Sequence, residues 1–252
     1  MSVSCQTSAA QISHASGMTD TRYRLHYAPD NASLIIRLAL LEMDQPFETV
    51  LVDRSVRGHK APDYLALNPN GLIPVLETPD GVMFETGAIL LWLADRHGAL
   101  APPPHDPARA AFLKWLFFVS NTLHVAARIT FYPEQYVGAD AAAQIALRRH
   151  IWAEFTTHLD KLETLAAEGH GWFGGDTPSV LEFYICCIIR WRRLYPADQP
   201  PGFSLANWPR LHAIATRLEG RSSVEIAAKA EGLGPTPFTA PIHPNPPEGS
   251  AT

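Results

Sequence analysis

A proline stands directly ahead of a short apolar run in Asn68-Pro69-Asn70-Gly71-Leu72-Ile73-Pro74-Val75-Leu76. Proline cannot donate to a sheet ladder, so such a run predicts a strand that opens just after Pro74. A cis Ile73-Pro74 bond would present a bare backbone edge at that point, free to pair with a peptide. Thr78-Pro79-Asp80-Gly81 has the chemistry of a turn and sends the chain back through Val82-Met83-Phe84. Glu85-Thr86 then opens a strongly apolar helix, whose first amides lack intrahelical partners and attract a carboxylate. A peptide-pairing edge and an anion site therefore lie within a few residues of each other.

The surrounding pattern supplies the rest of a small α/β unit. Tyr23–Tyr27 reads as a strand, and residues 33–43 carry Leu34, Ile35, Leu38 and Leu41 at helical spacing. Residues 47–52 read as a second strand, parallel to the first, and Gly98 is placed to end the helix that Glu85-Thr86 begins. Pro102-Pro103-Pro104 breaks the chain, after which Asp106-Pro107 offers a cap and a first-turn proline to a new helix. From there the pattern is helical, with segments expected at about 107–131, 140–168, 178–194 and 208–219. Ser179-Val180-Leu181-Glu182 has the form of a capping box ahead of the apolar run that starts at Phe183.

The order and spacing of these motifs resemble the glutathione transferase family. There the segment from Asn68 to Ile89 would close the glutathione site of a thioredoxin-like domain, and glutathione offers both a peptide backbone and carboxylates. The resemblance covers roughly residues 22–230, by motif in the first half and by architecture in the second. It implies an α/β thioredoxin-like N-terminal domain followed by an all-α helical C-terminal domain. The expected layout is a disordered lead at 1–20, a glutathione-binding domain at 21–98, a linker at 99–106, a helical domain at 107–232 and a proline-rich tail at 233–252. With six prolines in that last segment, an extended appendage without function is expected.

Composition narrows the partners. The 252 residues are 46% hydrophobic, enough for a full core, while a net charge of −5 gives no electrostatic reason to expect nucleic acid or an anionic membrane. Of the three cysteines, Cys5 stands alone and Cys186-Cys187 are adjacent within an apolar helix, which makes neither a disulfide framework nor a metal site. The vicinal pair suits packing, because neighbouring side chains on a helix point apart. No apolar run of membrane length and no signal-like start are read, so a cytoplasmic protein without membrane or metal is expected.

A transferase must stabilise the glutathione thiolate, and a donor is needed near the end of the first strand. Tyr27-Ala28-Pro29-Asp30-Asn31-Ala32-Ser33-Leu34 looks like the strand, loop and helix start where the family places its catalytic Tyr, Ser or Cys. The segment most resembles bacterial beta-type enzymes, whose loop carries a cysteine directly before a serine. Ala32 occupies that position here, which excludes thiol exchange through a loop cysteine. Ser33 and Asn31 are the favoured donors, with Tyr27 as a third candidate; Asp30 is read as a turn former, since its charge would repel a thiolate.

The resemblance also implies that Glu85 takes the γ-glutamyl ammonium while Thr86 and the helix amides take its carboxylate. Ile73 would pair with the cysteinyl backbone, Pro74 would hold the geometry, and Arg57 would lie near the glycyl carboxylate. Phe117, Asn121, His124, Arg128 and Tyr132 fall on one face of the first long helix, where His124 follows Leu123 as in the beta-type cleft. Phe118, Tyr132 and Tyr136 are candidates for an apolar second-substrate pocket. Arg190, Arg192 and Arg193 are read as complements to a helix dipole. The implied activity is a detoxifying glutathione transferase acting with glutathione as co-substrate on a small apolar electrophile, as a homodimer. The alternatives are a glutathione-binding protein without turnover and a glutathione-dependent isomerase or dehalogenase.

Overall fold

The computed structural model describes residues 23–196 and 203–251, so the expected disordered lead lies outside the described residues. β1 (Tyr23–Tyr27), α1 (Ser33–Glu42) and β2 (Phe47–Leu51) form a strand, helix and parallel strand, with Leu25 opposite Thr49. A short helix α2 (Pro62–Leu67) leads to β3 (Val75–Thr78), which runs antiparallel to β1 and forms a hairpin with β4 (Gly81–Phe84). The sheet order is β2-β1-β3-β4, and α3 (Thr86–His97) follows it. Gly98 ends α3 in the left-handed conformation, where a Cβ would be strained.

The helical half starts with α4 (Arg109–Phe118), which passes through a π-helical segment (Val119–Leu123) into α5 (His124–Phe131) without a break. Then come α6 (Glu134–Val137), α7 (Ala141–Ala167), α8 (Val180–Leu194), α9 (Pro209–Glu219) and α10 (Ser222–Glu231). Asp140 caps α7 by accepting from the amides of Ala142 and Ala143. Glu182 accepts from the Ser179 amide and also holds the Gly174 amide and Arg217, so this acid ties a loop and α9 to the start of α8.

Helix α1 explains how the halves join. Its residues Leu34, Ile35, Ile36 and Leu38 have no exposed surface, which is the pattern of a helix covered on all sides. The sheet and α3 take one side, and α8 and α10 take the other. One buried cluster therefore runs from Leu25 and Leu76 through α1 to Phe155, Phe183 and Leu218. Cys186 and Cys187 lie in it as free, buried thiols, pushed well above the ordinary thiol range by burial.

Two expectations are corrected. The continuous helix Arg109–Phe131 has 23 residues and is apolar enough to reach membrane length by count. Its Phe112, Leu116, Val119 and Leu123 are buried, and Arg109 binds Asp95 and the Pro102 carbonyl, so one face of it packs into the protein. The proline-rich tail is the second correction, for it is folded onto the protein. Leu233 and Phe238 are buried, Glu219 accepts the amides of Phe238 and Thr239, and the Asn245 amide reaches the Gly232 carbonyl at 2.9 Å. Prolines forbid a regular element but not packing, and the tail's carbonyls find donors in the helical half.

Candidate active site

A cavity of about 870 Å³ opens where the sheet half meets α5 and α8. Asn31 and Ala32 line it at the start of α1, Ile73 and Pro74 line it ahead of β3, and Glu85 and Thr86 line it at the start of α3. Helical residues Ser120, His124, Arg128, Tyr132, Tyr184 and Trp191 complete the opposite wall. The Ile73-Pro74 bond is cis, and Ile73 lies just outside the paired stretch of β3. Glu85 has φ +73°, a conformation that a residue with a Cβ adopts rarely and that clusters at functional sites. The helix behind it presents its first amides to the cavity side.

The three candidate thiolate donors have different fates. Ser33 is fully buried, and its hydroxyl both donates to the Ala28 carbonyl at 3.1 Å and accepts from the Ala28 amide at 3.3 Å. It pins the loop that precedes α1 and does not line the cavity. Tyr27 is buried, with its hydroxyl donating to Glu248 of the tail and its ring beneath the Arg37 guanidinium at 4.6 Å. Burial, then the Glu248 carboxylate, raises its phenol far above the ordinary value. Only Asn31 lines the cavity; its Oδ1 accepts from the Ala32 amide at 2.8 Å, which leaves the Nδ2 end to donate.

Arg57 is exposed at φ +57° and takes no part in the lining. The basic side chains that do line the cavity from this loop are Arg54, His59 and Lys60. Arg54 donates to the Tyr132 hydroxyl at 2.8 Å, and Lys60 donates to the carbonyls of Asn70 and Gly71 at 3.3 Å each. Burial lowers the His59 pKa, and the charges of Lys60, Arg54 and Arg57 lower it further. Arg57 is left-handed and faces solvent, and the charges that reach inward come from Arg54 before it and Lys60 after it.

On the helical wall the expected stripe holds for His124, Arg128 and Tyr132 and fails for Phe117 and Asn121, which are exposed. The π-helical segment is the cause. One extra residue per turn rotates the face presented before it, and Ser120 takes the inward position. Phe118 packs instead on Trp115 and His158, and Tyr136 is exposed outside the cavity. His124 Nδ1 lies 2.8 Å from the Tyr184 hydroxyl, and its ring leans on Trp191 at 5.6 Å. Desolvation, with the nearby Arg128 charge, lowers the His124 pKa to about 4, so its imidazole is neutral near pH 7.

Asp30 and Arg190 are corrected most. Asp30 has no exposed side-chain surface and receives Arg190 Nε and Nη2 at 2.8 and 2.9 Å, Trp191 Nε1 at 2.9 Å and the Tyr195 hydroxyl at 2.8 Å. Its amide donates to Glu231, which also pairs with Arg37 at 2.7 Å. Arg190 reaches the carbonyls of Pro237 and Ile242 as well. The loop before α1 is therefore bolted to α8, α10 and the tail by buried, charge-assisted hydrogen bonds. Neither Tyr184 nor Ser120 was singled out by sequence, because both sit in runs that read as helix core. Among the described residues no cluster of His, Cys, Asp and Glu could hold a metal ion.

Known proteins carry the same plan. Residues 32–96 match the model of the glutathione S-transferase N-terminal domain. Glutathione S-transferase GST-4.5 of Xanthomonas campestris is 30% identical over 215 residues, 83% of this chain and 99% of the relative. A sphingomonad glutathione S-transferase, solved in complex with glutathione, is 31% identical with a TM-score of 0.66, covering 84% of this chain and 100% of that one. The maleylacetoacetate isomerase of Rhizobium meliloti is 28% identical over 80% of this chain and 92% of its own length. With the cis-proline edge, the left-handed Glu85 and the two-half architecture on one side and near-complete coverage of these relatives on the other, this chain belongs to the glutathione S-transferase family.

Proposed function

We propose that this chain is a glutathione transferase that binds glutathione along Ile73-Pro74 and activates its thiol in the cavity beside the start of α1. The observation that carries this reading is the convergence of Ile73-Pro74 and Glu85-Thr86 on one cavity that Arg54, His59 and Lys60 also enter. Glu85 is an acid for the γ-glutamyl ammonium, Thr86 and the α3 amides suit its carboxylate, and the three basic residues suit the glycyl carboxylate. Asn31 Nδ2 and neutral His124, which both line the cavity, are the donors available to the thiolate. The electrophile would enter from the side of Tyr132, Phe131 and Val125, which make the helical rim partly apolar.

Catalysis on this reading consists of lowering the thiol pKa and positioning the sulfur for attack. The absent loop cysteine favours addition and substitution at carbon over disulfide exchange. Similarity to a maleylacetoacetate isomerase makes glutathione-dependent isomerisation the second reading, and a panel that includes a cis-alkenedioic acid beside aromatic halides separates the two. A cytoplasmic, detoxifying homodimer accompanies the first reading; the partly exposed Trp92 and Leu91 on α3 suit a two-fold contact, which light scattering at micromolar concentration would detect or refute.

The direct test is calorimetry with glutathione on Glu85→Gln. Glu85 is exposed and makes no capping bond with its side chain, so stability should change by no more than about 0.5 kcal/mol. Affinity should fall by about tenfold or more, as expected for losing a charge-assisted hydrogen bond. Unchanged affinity would remove glutathione's γ-glutamyl end from this site.

A further inference from the structure

The Tyr184 hydroxyl sits at the junction of three elements. It lies 2.8 Å from His124 Nδ1 on α5, with Ser120 of the π-helical segment and Thr86 at the start of α3 as its other polar neighbours. Tyr184 is itself buried, with 1% of its surface exposed, and burial raises its phenol above the ordinary range, so it keeps its proton. A phenol offers one proton and two lone pairs. Between a phenol and a neutral imidazole the O–H is the stronger donor and the ring nitrogen the stronger acceptor, so the 2.8 Å contact gives the phenol proton to His124 Nδ1.

A neutral imidazole whose Nδ1 accepts must carry its single proton on Nε2. Among the described residues no protein group bonds Nε2, and His124 lines the cavity. The charged and titratable groups around the pair are Arg128 on α5, Glu85 ahead of α3 and Cys187 on α8. None of them takes the Nδ1 position. Resting on the transferase reading above, we propose that Tyr184 is a positioning residue: it fixes His124 in the Nε2–H tautomer, so that the imidazole presents a donor to the sulfur in the cavity.

The arrangement has a structural reason in the π-helical segment. The wider turn carries Phe117 and Asn121 off this face and leaves Ser120, four residues before His124, on it. Gly87 supports the same contact from α3, since a Cβ there would lie 3.1 Å from Ser120 Oγ. Thr86 belongs both to the proposed γ-glutamyl site and to this cluster. Its hydroxyl can turn to a bound carboxylate while the Tyr184–His124 contact stays in place.

Long-range proton–nitrogen NMR on the ligand-free protein, labelled with nitrogen-15 histidine, reads the tautomer directly. Wild type should show His124 with a protonated Nε2 and an unprotonated Nδ1, and Tyr184→Phe should shift it to a mixture. Ser120→Ala is a second variant, expected to move the ring partway because it removes a polar neighbour of the phenol. In Tyr184→Phe, thiolate absorbance against pH should place the thiol of bound glutathione about one pH unit higher, a tenfold loss of thiolate stabilisation. The value of kcat should fall by about tenfold, with KM for glutathione nearly unchanged, as is typical when an orienting partner is removed. A protonated Nδ1 in wild type, or an unshifted ring in both variants, overturns the proposal. Failure of the wild type to bind glutathione in the same series would defeat the transferase reading instead, and leave the tautomer measurement to stand by itself.

Discussion

Asp30 and Arg190 form an ion pair with no exposed side-chain surface, and the loop that offers Asn31 to the cavity hangs from it. Removing one partner leaves the other buried and uncompensated, which costs about 3–5 kcal/mol. Asp30→Ala should therefore lower the unfolding free energy read from urea titration by an amount of that size, and adding Arg190→Met should restore part of it; an additive double variant would show the pair to be uncoupled. Two other buried groups give opposite pH slopes. His124 falls to about 4 from near 6.5, so its contribution is complete above pH 6.5 and is lost as the unfolded state takes up a proton toward pH 4. Burial lifts Glu231 to about 7 from near 4.5 against the pull of Arg37, so its contribution is complete below pH 4.5 and is lost as pH rises toward 7. Each is worth about 3 kcal/mol at most. Glu231→Gln should then gain stability from pH 5 to 6.5, and His124→Gln should lose it, while wild type stays flatter than either. Parallel curves in chemical denaturation would refute both assignments. Side-chain direction is what the sequence could not supply at this scale. Pro74, Glu85 and Thr86 are placed beside the cavity by local backbone, which a sequence pattern can encode, whereas the Ser33 hydroxyl turned to Ala28 and the Tyr27 hydroxyl to Glu248 through tertiary contacts that no spacing encodes.

At the scale of elements, a hydrophobic period of 3.6 found the long helices to within about two residues of their observed ends, because each has a breaker or a cap at its boundary. It could not find the π-helical segment, since one extra residue leaves the same apolar letters in almost the same order. That single insertion moved Phe117 and Asn121 to the surface and brought Ser120 inward. Gly87 on α3 faces it. Replacing glycine by alanine within a helix gains about 1 kcal/mol of intrinsic propensity. A Cβ at Gly87 would meet Ser120 Oγ at 3.1 Å and Ser120 Cβ at 3.3 Å, closer than an ordinary contact. Gly87→Ala should thus yield little or no gain in thermal stability, and should slow turnover by displacing Ser120 from Tyr184. A full helix-propensity gain with unchanged kcat would mean that α3 and the π-helical segment are free to slide past one another.

The whole molecule is held by chain segments far apart in sequence. Arg190 on α8 grips Asp30 of the sheet half with one edge and carbonyls of Pro237 and Ile242 with the other, so the tail is wired to the loop before α1. Six prolines made this tail read as an appendage; the apolar Leu233 and Phe238 were the signal that it packs, but two residues in a proline-rich stretch carry no period. Its last described part returns to the cavity. His243 meets the Tyr195 ring at 5.5 Å, Glu248 takes the Tyr27 hydroxyl, and the Ala251 carbonyl takes Arg54, while His243 and Ala251 line the cavity. Gly249 fits there because a Cβ would lie 2.6 Å from Leu51 Cδ1. A chain ending at Ile242 would keep the Phe238 and Glu219 anchors and the Arg190 contacts, and so should fold with a modest drop in thermal midpoint. It would also free Tyr27 and Arg54 and widen the mouth beside Tyr195. Relative to the full chain, kcat/KM should rise for a bulky aromatic electrophile and hold or fall for a small one, with glutathione affinity altered through Arg54. An unchanged ratio between the two electrophiles would show that the tail braces the fold without shaping what enters the cavity.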